Sequence, residues 1–361
     1  MLSLILPTYK ERETLPILIP KIVDTLKAVD HEIIIVDDNS PDRTWEVARR
    51  LARQYPNVLV IRRVGRRGLS SAVIEGFLAA KGDVFAVMDA DGQHDMSLLP
   101  KLAAAVEENH GMAMGSRYME GGSVGDWKGF RARMSRLGTS LAHWVCQVRV
   151  TDPMSGFFAI SRETFEETLP RLNPKGFKIL LDLLVHVRPD TMMKELPYSF
   201  SERIGGESKF STQVRIQYLE FLYDATVGRF IPLTLVKYCI VGAIGVAVNL
   251  AAYFATVLAL SESSAYGLLS LPLLAGIEAA IIFNFVLNNA WTFSYSKLRG
   301  SKAVTGFIKY NIVCAFGALA TIAVTNYLFS YGISMVGSLA LGAFVGMIWN
   351  YTIGRLFTWN A

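Results

Sequence analysis

Val84-Phe85-Ala86-Val87-Met88-Asp89-Ala90-Asp91-Gly92-Gln93-His94-Asp95 is the stretch that decides how this chain is read. An apolar run of strand length breaks into two carboxylates spaced i, i+2, then a glycine, an amide and a further acid. A wholly apolar strand is one buried on both faces, and open α/β sheets bind ligands in the crevice beyond their strands' carboxyl ends. Carboxylates held this close repel each other and are costly to bury unpaired. A divalent cation relieves that repulsion. Asp89, Asp91 and the Gln93 carbonyl are hard oxygen donors of the kind that Mg2+ or Mn2+ takes. A solvated acidic turn behind a core strand would use the same residue types, so the flanking sequence has to decide.

Upstream, strand and helix alternate. Strands are predicted at Leu2–Leu6, Glu32–Val36, Val58–Ile61 and Val84–Met88. Helices are predicted at about Thr14–Ala28, at Thr44–Tyr55 with Trp45, Val47, Ala48 and Leu51 as its apolar face, and at Gly68–Ala80 with Ser70 or Ser71 as N-cap. Repeated βαβ units of this length imply a parallel sheet covered by helices. Two of the strands run straight into paired acids, Asp37-Asp38 and Asp89-x-Asp91. Acid clusters on one edge of one parallel sheet point to one crevice. No G-x-G-x-x-G follows the first strand, which disfavours a dinucleotide-binding dehydrogenase.

The chain has 361 residues, of which 52% are hydrophobic. That length implies two domains or more. The apolar excess is uneven: residues 1–230 hold nearly all the charge, and long apolar stretches dominate from about Phe230 onward. The opening Met1–Pro7 has no basic flank and reads as a buried strand, not a signal peptide. Cys146, Cys239 and Cys314 are scattered, with neither disulfide nor zinc spacing, which fits a catalytic domain on the reducing side of a membrane. His94 reads as a local hydrogen-bonding residue and receives no further role.

Three segments resemble family 2 glycosyltransferases of GT-A fold: Ile5-Leu6-Pro7-Thr8-Tyr9-Lys10-Glu11, Val36-Asp37-Asp38-Asn39-Ser40-x-Asp42-x-Thr44 and Met88–His94. Gly115-Ser116-Arg117-Tyr118, Asp152-Pro153-x-Ser155-Gly156-Phe157 and Arg203-x-x-Gly206-Glu207-Ser208-Lys209 narrow the resemblance to the polyprenyl-phosphate sugar synthases, dolichol-phosphate mannose synthases above all. The resemblance implies a catalytic domain over residues 1–211. Pro7, Tyr9 and Glu11 would line the base and ribose pocket, with Val36 close by and Asp37 or Asp38 binding base or ribose. Asp89, Ala90, Asp91 and Gln93 would meet the donor's diphosphate through the Mg2+ or Mn2+ ion. Lys178, Arg203 and Lys209 would meet the phosphates, with Ser208 beside them. Arg117, Arg131 and Ser135 would take the acceptor phosphate, with Arg133 a rival to Arg131. Guanidinium forks suit that task better than ammonium groups. Asp182 lies where many relatives place a catalytic carboxylate, and it is not assigned that role.

Apolar residues at helical spacing over 127–148, with Arg131, Arg133 and Arg136 off the stripe, predict an amphipathic helix. A second is predicted over about 212–227, inside a linker spanning 212–229. Both read as interfacial helices lying in the headgroup plane.

Residues 230–361 contain four apolar stretches, near Leu233–Leu260, Leu268–Asn288, Phe307–Phe329 and Val336–Phe357, each reaching the ~20 residues a bilayer crossing needs. Lys297, Arg299, Lys302 and Lys309 cluster in one loop, while the 261–267 and 330–335 loops have no Lys or Arg. The positive-inside rule therefore puts both termini and the catalytic domain in the cytoplasm, under a cell membrane or an ER-type membrane. The segment repeats itself: Lys237-Tyr238-Cys239-Ile240-Val241 matches Lys309-Tyr310-Asn311-Ile312-Val313, and Asn284 with Trp291-Thr292-Phe293 matches Asn350 with Phe357-Thr358-Trp359. It resembles GtrA-like membrane domains. The expected reaction is inverting transfer of mannose from GDP-mannose to dolichyl or another polyprenyl phosphate in the membrane lipid. The alternatives are a UDP-glucose-dependent polyprenyl-phosphate glucosyltransferase and a lipid-linked sugar flippase. Neither nucleic acid nor a protein partner is expected.

Overall fold

The computed structural model describes residues 1–123, 139–173, 178–201, 212–259 and 270–360, with side chains left aside at 212–217 and 229. The chain divides into two compact units, Met1–Thr226 and Val227–Ala361.

The first unit is built on a seven-stranded sheet. In chain order its elements are β1 (Leu2–Thr8), α1 (Leu15–Thr25), β2 (His31–Asp37), α2 (Thr44–Gln54), β3 (Val58–Arg62), α3 (Leu69–Ala79), β4 (Val84–Val87), α4 (Leu99–Asn109), β5 (Met112–Ser116), β6 (Phe158–Ser161), α5 (Arg162–Thr168), α6 (Ile179–His186), β7 (Met193–Pro197) and α7 (Thr212–Thr226). The strand order is β3-β2-β1-β4-β6-β5-β7. β6 runs antiparallel to both β4 and β5, and the other pairings are parallel. Ile33, Ile34, Ile35 and Val36 of β2 are fully buried, their alternate side chains entering the two cores above and below the sheet. Each such side chain contributes on the order of 1.5–3 kcal/mol. Sheets buried on both faces need continuous apolar strands, so these segments show no alternation.

Helix starts differ in detail from expectation. Neither Ser70 nor Ser71 caps α3; Gly68 does, at φ +146°, a backbone angle that side chains disfavour. The Ser71 hydroxyl instead donates back to the Gly68 carbonyl. Trp45 is half-buried and not part of the core face of α2; the Arg62 guanidinium lies 3.8 Å from its ring centroid. α7 belongs to the first compact unit, with Tyr218, Phe221, Leu222 and Ala225 half-buried and Leu219 exposed. Of the basic amphipathic segment, only residues from 139 onward are described, and 139–143 are helical. Ala142 is buried there, whereas Trp144 is 88% exposed.

The second unit contains α8 (Leu233–Ala259), α9 (Leu271–Leu287), α10 (Ser301–Ser330) and α11 (Met335–Ile353). Both α9 and α11 continue into π-helical turns, Asn288–Thr292 and Gly354–Trp359. With those turns, all four are long and apolar enough to cross a membrane. The internal repeat is visible in the packing. A Cβ on Gly245 would overlap Asn284, and one on Gly317 would overlap Asn350 at the equivalent place in the second hairpin. Lys237 lies over the Trp291 ring and Lys309 over Phe357. The 261–267 loop lies outside the described residues.

Candidate active site

Strand order reverses between β1 and β4, because β2 and β3 extend the sheet on one side of β1 and β4 on the other. The two strands diverge in connection there and leave a crevice at their carboxyl ends, the place where open α/β sheets bind ligands. Thr8 is in register with Asp37, and Ile5 with Val87, so Asp37 and Asp89 emerge on the same edge on either side of β1.

The two acids after β2 have separate tasks. Asp37 is fully buried and accepts from Thr8 Oγ1 (3.1 Å), Ser40 Oγ (2.6 Å) and the Ser40 backbone N–H (2.9 Å). It ties the ends of β1 and β2 together. Asp38 accepts from Arg63 Nη1 at 2.6 Å and from the Gly68 backbone N–H at 2.8 Å. Burial raises its pKa, only partly offset by the Gly68 N–H and by Arg63. Arg63 is itself buried and also bonds Glu75 and Ser71. Sequence reading missed Arg63. The available signal was electrostatic: a buried acid pair needs a cation, and Arg62-Arg63 ends the strand beside it. Glu11 is buried, accepts from Thr14 Oγ1, and its N–H donates to Thr44 Oγ1. Pro7 and Val36 are buried beneath this edge, and Tyr9 is half-buried with the Arg67 guanidinium 5.0 Å from its ring centroid.

Beyond β4 the chain turns at Gly92, φ +76°, in a conformation that glycine adopts without strain. Asp91 is buried, and its Oδ1 accepts the Gln93 backbone N–H at 3.1 Å. Gln93 Nε2 donates to the Ser201 carbonyl and Ser201 N–H donates back to the Gln93 carbonyl. That exchange brings the chain just before Arg203–Lys209 up to the acidic turn. Asp89 keeps a 39% exposed side chain. Gly156 lies against it so closely that a Cβ would come within 2.8 Å of Asp89 Oδ2. Ala90 is buried. Two carboxylates and one carboxamide oxygen on a tight turn are a donor set that fits Mg2+ or Mn2+.

Asp89, His94, Arg117, Ser155, Gly156, Lys178 and Phe200 line one cavity of about 110 Å³. Arg117 donates to Asp152 through Nε (2.7 Å) and Nη2 (2.9 Å), and its backbone N–H reaches the same carboxylate. Burial works against its charge, but the Asp152 bonds outweigh that and raise its pKa. Lys178 is half-buried, and its Nζ lies 3.4 Å from the Met154 carbonyl. Burial and the Arg117 charge lower its pKa against the pull of Asp89 and Asp152. His94 stacks on Phe157, and its Nδ1 accepts the Asp89 N–H at 3.4 Å; burial lowers its pKa to about 4. It is neutral and locally bonded, as the sequence suggested. Asp182 is buried, accepts the Asn173 N–H at 2.7 Å and lies 3.2 Å from His186 Nδ1. Arg131, Arg133, Ser135, Arg203, Ser208 and Lys209 lie outside the described residues.

The Glycosyl transferase family 2 profile matches residues 3–169, and the GtrA/DPMS transmembrane domain profile matches residues 237–359. A dolichol-phosphate mannosyltransferase of Pyrococcus furiosus is 37% identical over 99% of this chain and 99% of its own length. This chain belongs to the dolichol-phosphate mannosyltransferase family. The Saccharomyces cerevisiae dolichol-phosphate mannosyltransferase is 38% identical over 63% of this chain and 88% of that one. The polyprenol monophosphomannose synthase of Mycolicibacterium smegmatis is 35% identical over 57% and 80%. As a member of this family the chain is a glycosyltransferase, and its membrane profile with four apolar helices makes it a multi-pass membrane protein.

Proposed function

We propose that this enzyme transfers mannose from GDP-mannose to dolichyl or another polyprenyl phosphate, with inversion, at the cytoplasmic face of its membrane. The observation that carries the reading is the shared cavity of Asp89, Arg117 and Lys178 at the switch point of the sheet. It puts a carboxylate suited to a metal–diphosphate beside two cations suited to phosphate oxygens. Pro7, Tyr9, Glu11 and the Asp37–Asp38 edge are the wall for base and ribose. Asp89, Asp91 and Gln93 would hold a divalent cation, Mg2+ or Mn2+, which when bound supplies charge to the leaving diphosphate. Lys178, with Arg203 and Lys209, stabilises the same departing charge.

The acceptor phosphate oxygen bonds to the anomeric carbon as the bond from that carbon to the diphosphate oxygen breaks, and GDP leaves. Arg117, with Arg131 or Arg133 and Ser135, orients the attacking phosphate. A phosphate monoester with second pKa near ~6 is already ionised at neutral pH, so no side chain has to remove a proton. The bond that one Asp182 oxygen accepts from the Asn173 N–H agrees with that. The cytoplasmic orientation rests on Lys297, Arg299, Lys302 and Lys309 at one end of the helices. The exposed Trp144 supports an interfacial seat for its segment.

The test is incubation of purified full-length enzyme in lipid nanodiscs with GDP-mannose, UDP-glucose or GDP-glucose, polyprenyl phosphate, and Mg2+, Mn2+ or chelator. Cation-dependent GDP release with formation of the mannosyl lipid is expected. Glucosyl transfer from UDP-glucose at a higher kcat/KM would overturn the donor assignment.

A further inference from the structure

Arg63 is a buried cation of the catalytic unit that the transfer step does not use. It lies just past β3 and is 2% exposed. All three guanidinium nitrogens are engaged. Nη1 donates to Asp38 Oδ1 at 2.6 Å and to the Gly68 carbonyl at 3.1 Å, Nη2 to Ser71 Oγ at 2.6 Å, and Nε to Glu75 Oε2 at 3.1 Å. These bonds join the end of β2 to the start of α3. A charge is tolerated in the interior only when its partners are in place. What this one holds is a carboxylate at the ligand edge of the sheet.

The neighbouring acid shows what is particular about Asp38. Asp37 is fully buried, and its two oxygens take three donors from Thr8 and Ser40. The Asp38 side chain keeps 11% exposure, and each of its oxygens accepts one bond, Oδ1 from Arg63 and Oδ2 from the Gly68 N–H. A carboxylate oxygen has two acceptor sites, so one is left on each oxygen. Two such sites side by side suit two N–H groups in one plane, as in a bidentate guanidinium pair. Guanine carries that pattern in its N1–H and 2-amino group, whereas uracil offers a single N–H. Burial pushes Asp38 toward the neutral carboxyl, which turns one acceptor into a donor, and the Gly68 N–H and Arg63 oppose that. The N–H bonded to Oδ2 belongs to the Arg67–Gly68 peptide, and the Arg67 guanidinium lies 5.0 Å from the Tyr9 ring centroid. The same clamp therefore reaches the Tyr9 wall.

We propose that Arg63 is a positioning residue for nucleobase selection, fixing Asp38 as a two-point acceptor for the paired N–H groups of guanine. It acts through Asp38 and touches no reacting atom. The proposal rests on the GDP-mannose reading and names the residue that enforces it.

The test is the Kd of GDP, IDP and UDP, measured by calorimetry on full-length enzyme in nanodiscs with Mn2+, beside thermal unfolding. IDP differs from GDP only in lacking the 2-amino group, so the ratio of the two affinities reads the second hydrogen bond. Wild type should favour GDP over IDP about tenfold or more, the loss expected when one charge-assisted bond is removed. Arg63→Gln should bring that ratio to within about threefold of unity. Arg63→Lys should keep part of the preference, because an ammonium retains the charge but cannot reach all the partners of a guanidinium fork; it also carries the test where Arg63→Gln fails to fold. In an Asp38→Asn background Arg63→Gln should change the ratio no further, since the two residues act as one unit. A purely structural arginine would lower thermal stability and weaken all three nucleotides alike. An unchanged ratio in the Arg63 variants, or a wild type that binds GDP and IDP equally, would overturn the inference and leave the GDP-mannose reading standing. Tighter binding of UDP than of GDP by the wild type would overturn that reading, and the inference with it.

Discussion

Replacing Arg117 tests whether its guanidinium serves the acceptor or only braces the fold. The side chain is 9% exposed, and two of its N–H groups are committed to an Asp152 carboxylate that is fully buried. Removing one member of such a pair leaves a buried charge uncompensated and costs about 3–5 kcal/mol. Arg117→Leu alone therefore confounds folding with function. The pair Arg117→Leu/Asp152→Leu does not, because apolar replacement of both members is near neutral or stabilising. If Arg117 also meets the acceptor phosphate, the double variant loses a charge-assisted bond of about 1.5–3 kcal/mol. Its kcat/KM for polyprenyl phosphate should then fall roughly ten- to a hundredfold, since each 1.36 kcal/mol is a factor of ten. Arg117→Lys should fall between, as one ammonium cannot pair with Asp152 and reach a phosphate with a fork's geometry. Stability is read from thermal unfolding, donor affinity from calorimetry and acceptor kcat/KM from initial rates. The reasoning fails if the double variant is as stable as the wild type and transfers within about threefold of it, or if donor affinity falls as far as acceptor turnover.

Asp91→Ala should abolish transfer while leaving insertion and fold intact; near-normal turnover in saturating Mn2+ would remove Asp91 from the metal site. Gly156→Ala puts a Cβ 2.8 Å from Asp89 Oδ2 and should lower kcat with little change in thermal stability, whereas unchanged kcat would mean that Asp89 tolerates displacement. Lys302 and Lys309 belong to the first turns of α10, so the connection is residues 294–300; single-cysteine labelling should reach it only from the cytoplasm and the 261–267 loop only from the opposite side, and both on one side would end the four-span topology. The His186 pKa is raised, chiefly by the Asp182 hydrogen bond, so the pair's stabilisation is fully present below the ordinary histidine value near ~6.5 and fades as pH rises through the raised one. Denaturant midpoints of wild type and His186→Gln should converge with rising pH, and a gap that widens would contradict the pairing.

Most of the frame was legible because burial on both faces leaves an unmistakable trace. β1, β2 and β4 are continuous apolar runs ending in polar turns, and the acids at their ends announced the crevice. β6 was not legible: Phe158–Ser161 is too short to show a period, and its antiparallel insertion between β4 and β5 depends on contacts far away in sequence. Arg63 escaped because one of several arginines after a strand looks like any surface charge until Asp38 is placed opposite it. Asp152 was visible within a motif, but its bond to Arg117 spans two elements and leaves no local pattern. The hairpin repeat was read directly, since Gly245–Asn284 and Gly317–Asn350 recur as residue types.

The charge balance in the catalytic cavity has a consequence for the order of events. Arg117 is neutralised by Asp152, which leaves Lys178 beside Asp89 as the adjustable charge, and burial together with Arg117 weakens Lys178's hold on its proton. A diphosphate bound in this cavity would add negative charge beside Lys178 and draw its pKa back up, because nearby anions favour the charged state of a lysine. On the proposed reading, donor binding would strengthen the cation facing the leaving group before the acceptor phosphate arrives. Lys178→Met would leave Arg117 paired as before yet remove the adjustable charge. The expected loss therefore falls on kcat and donor binding more than on acceptor KM, the reverse of the pattern for the Arg117 variants.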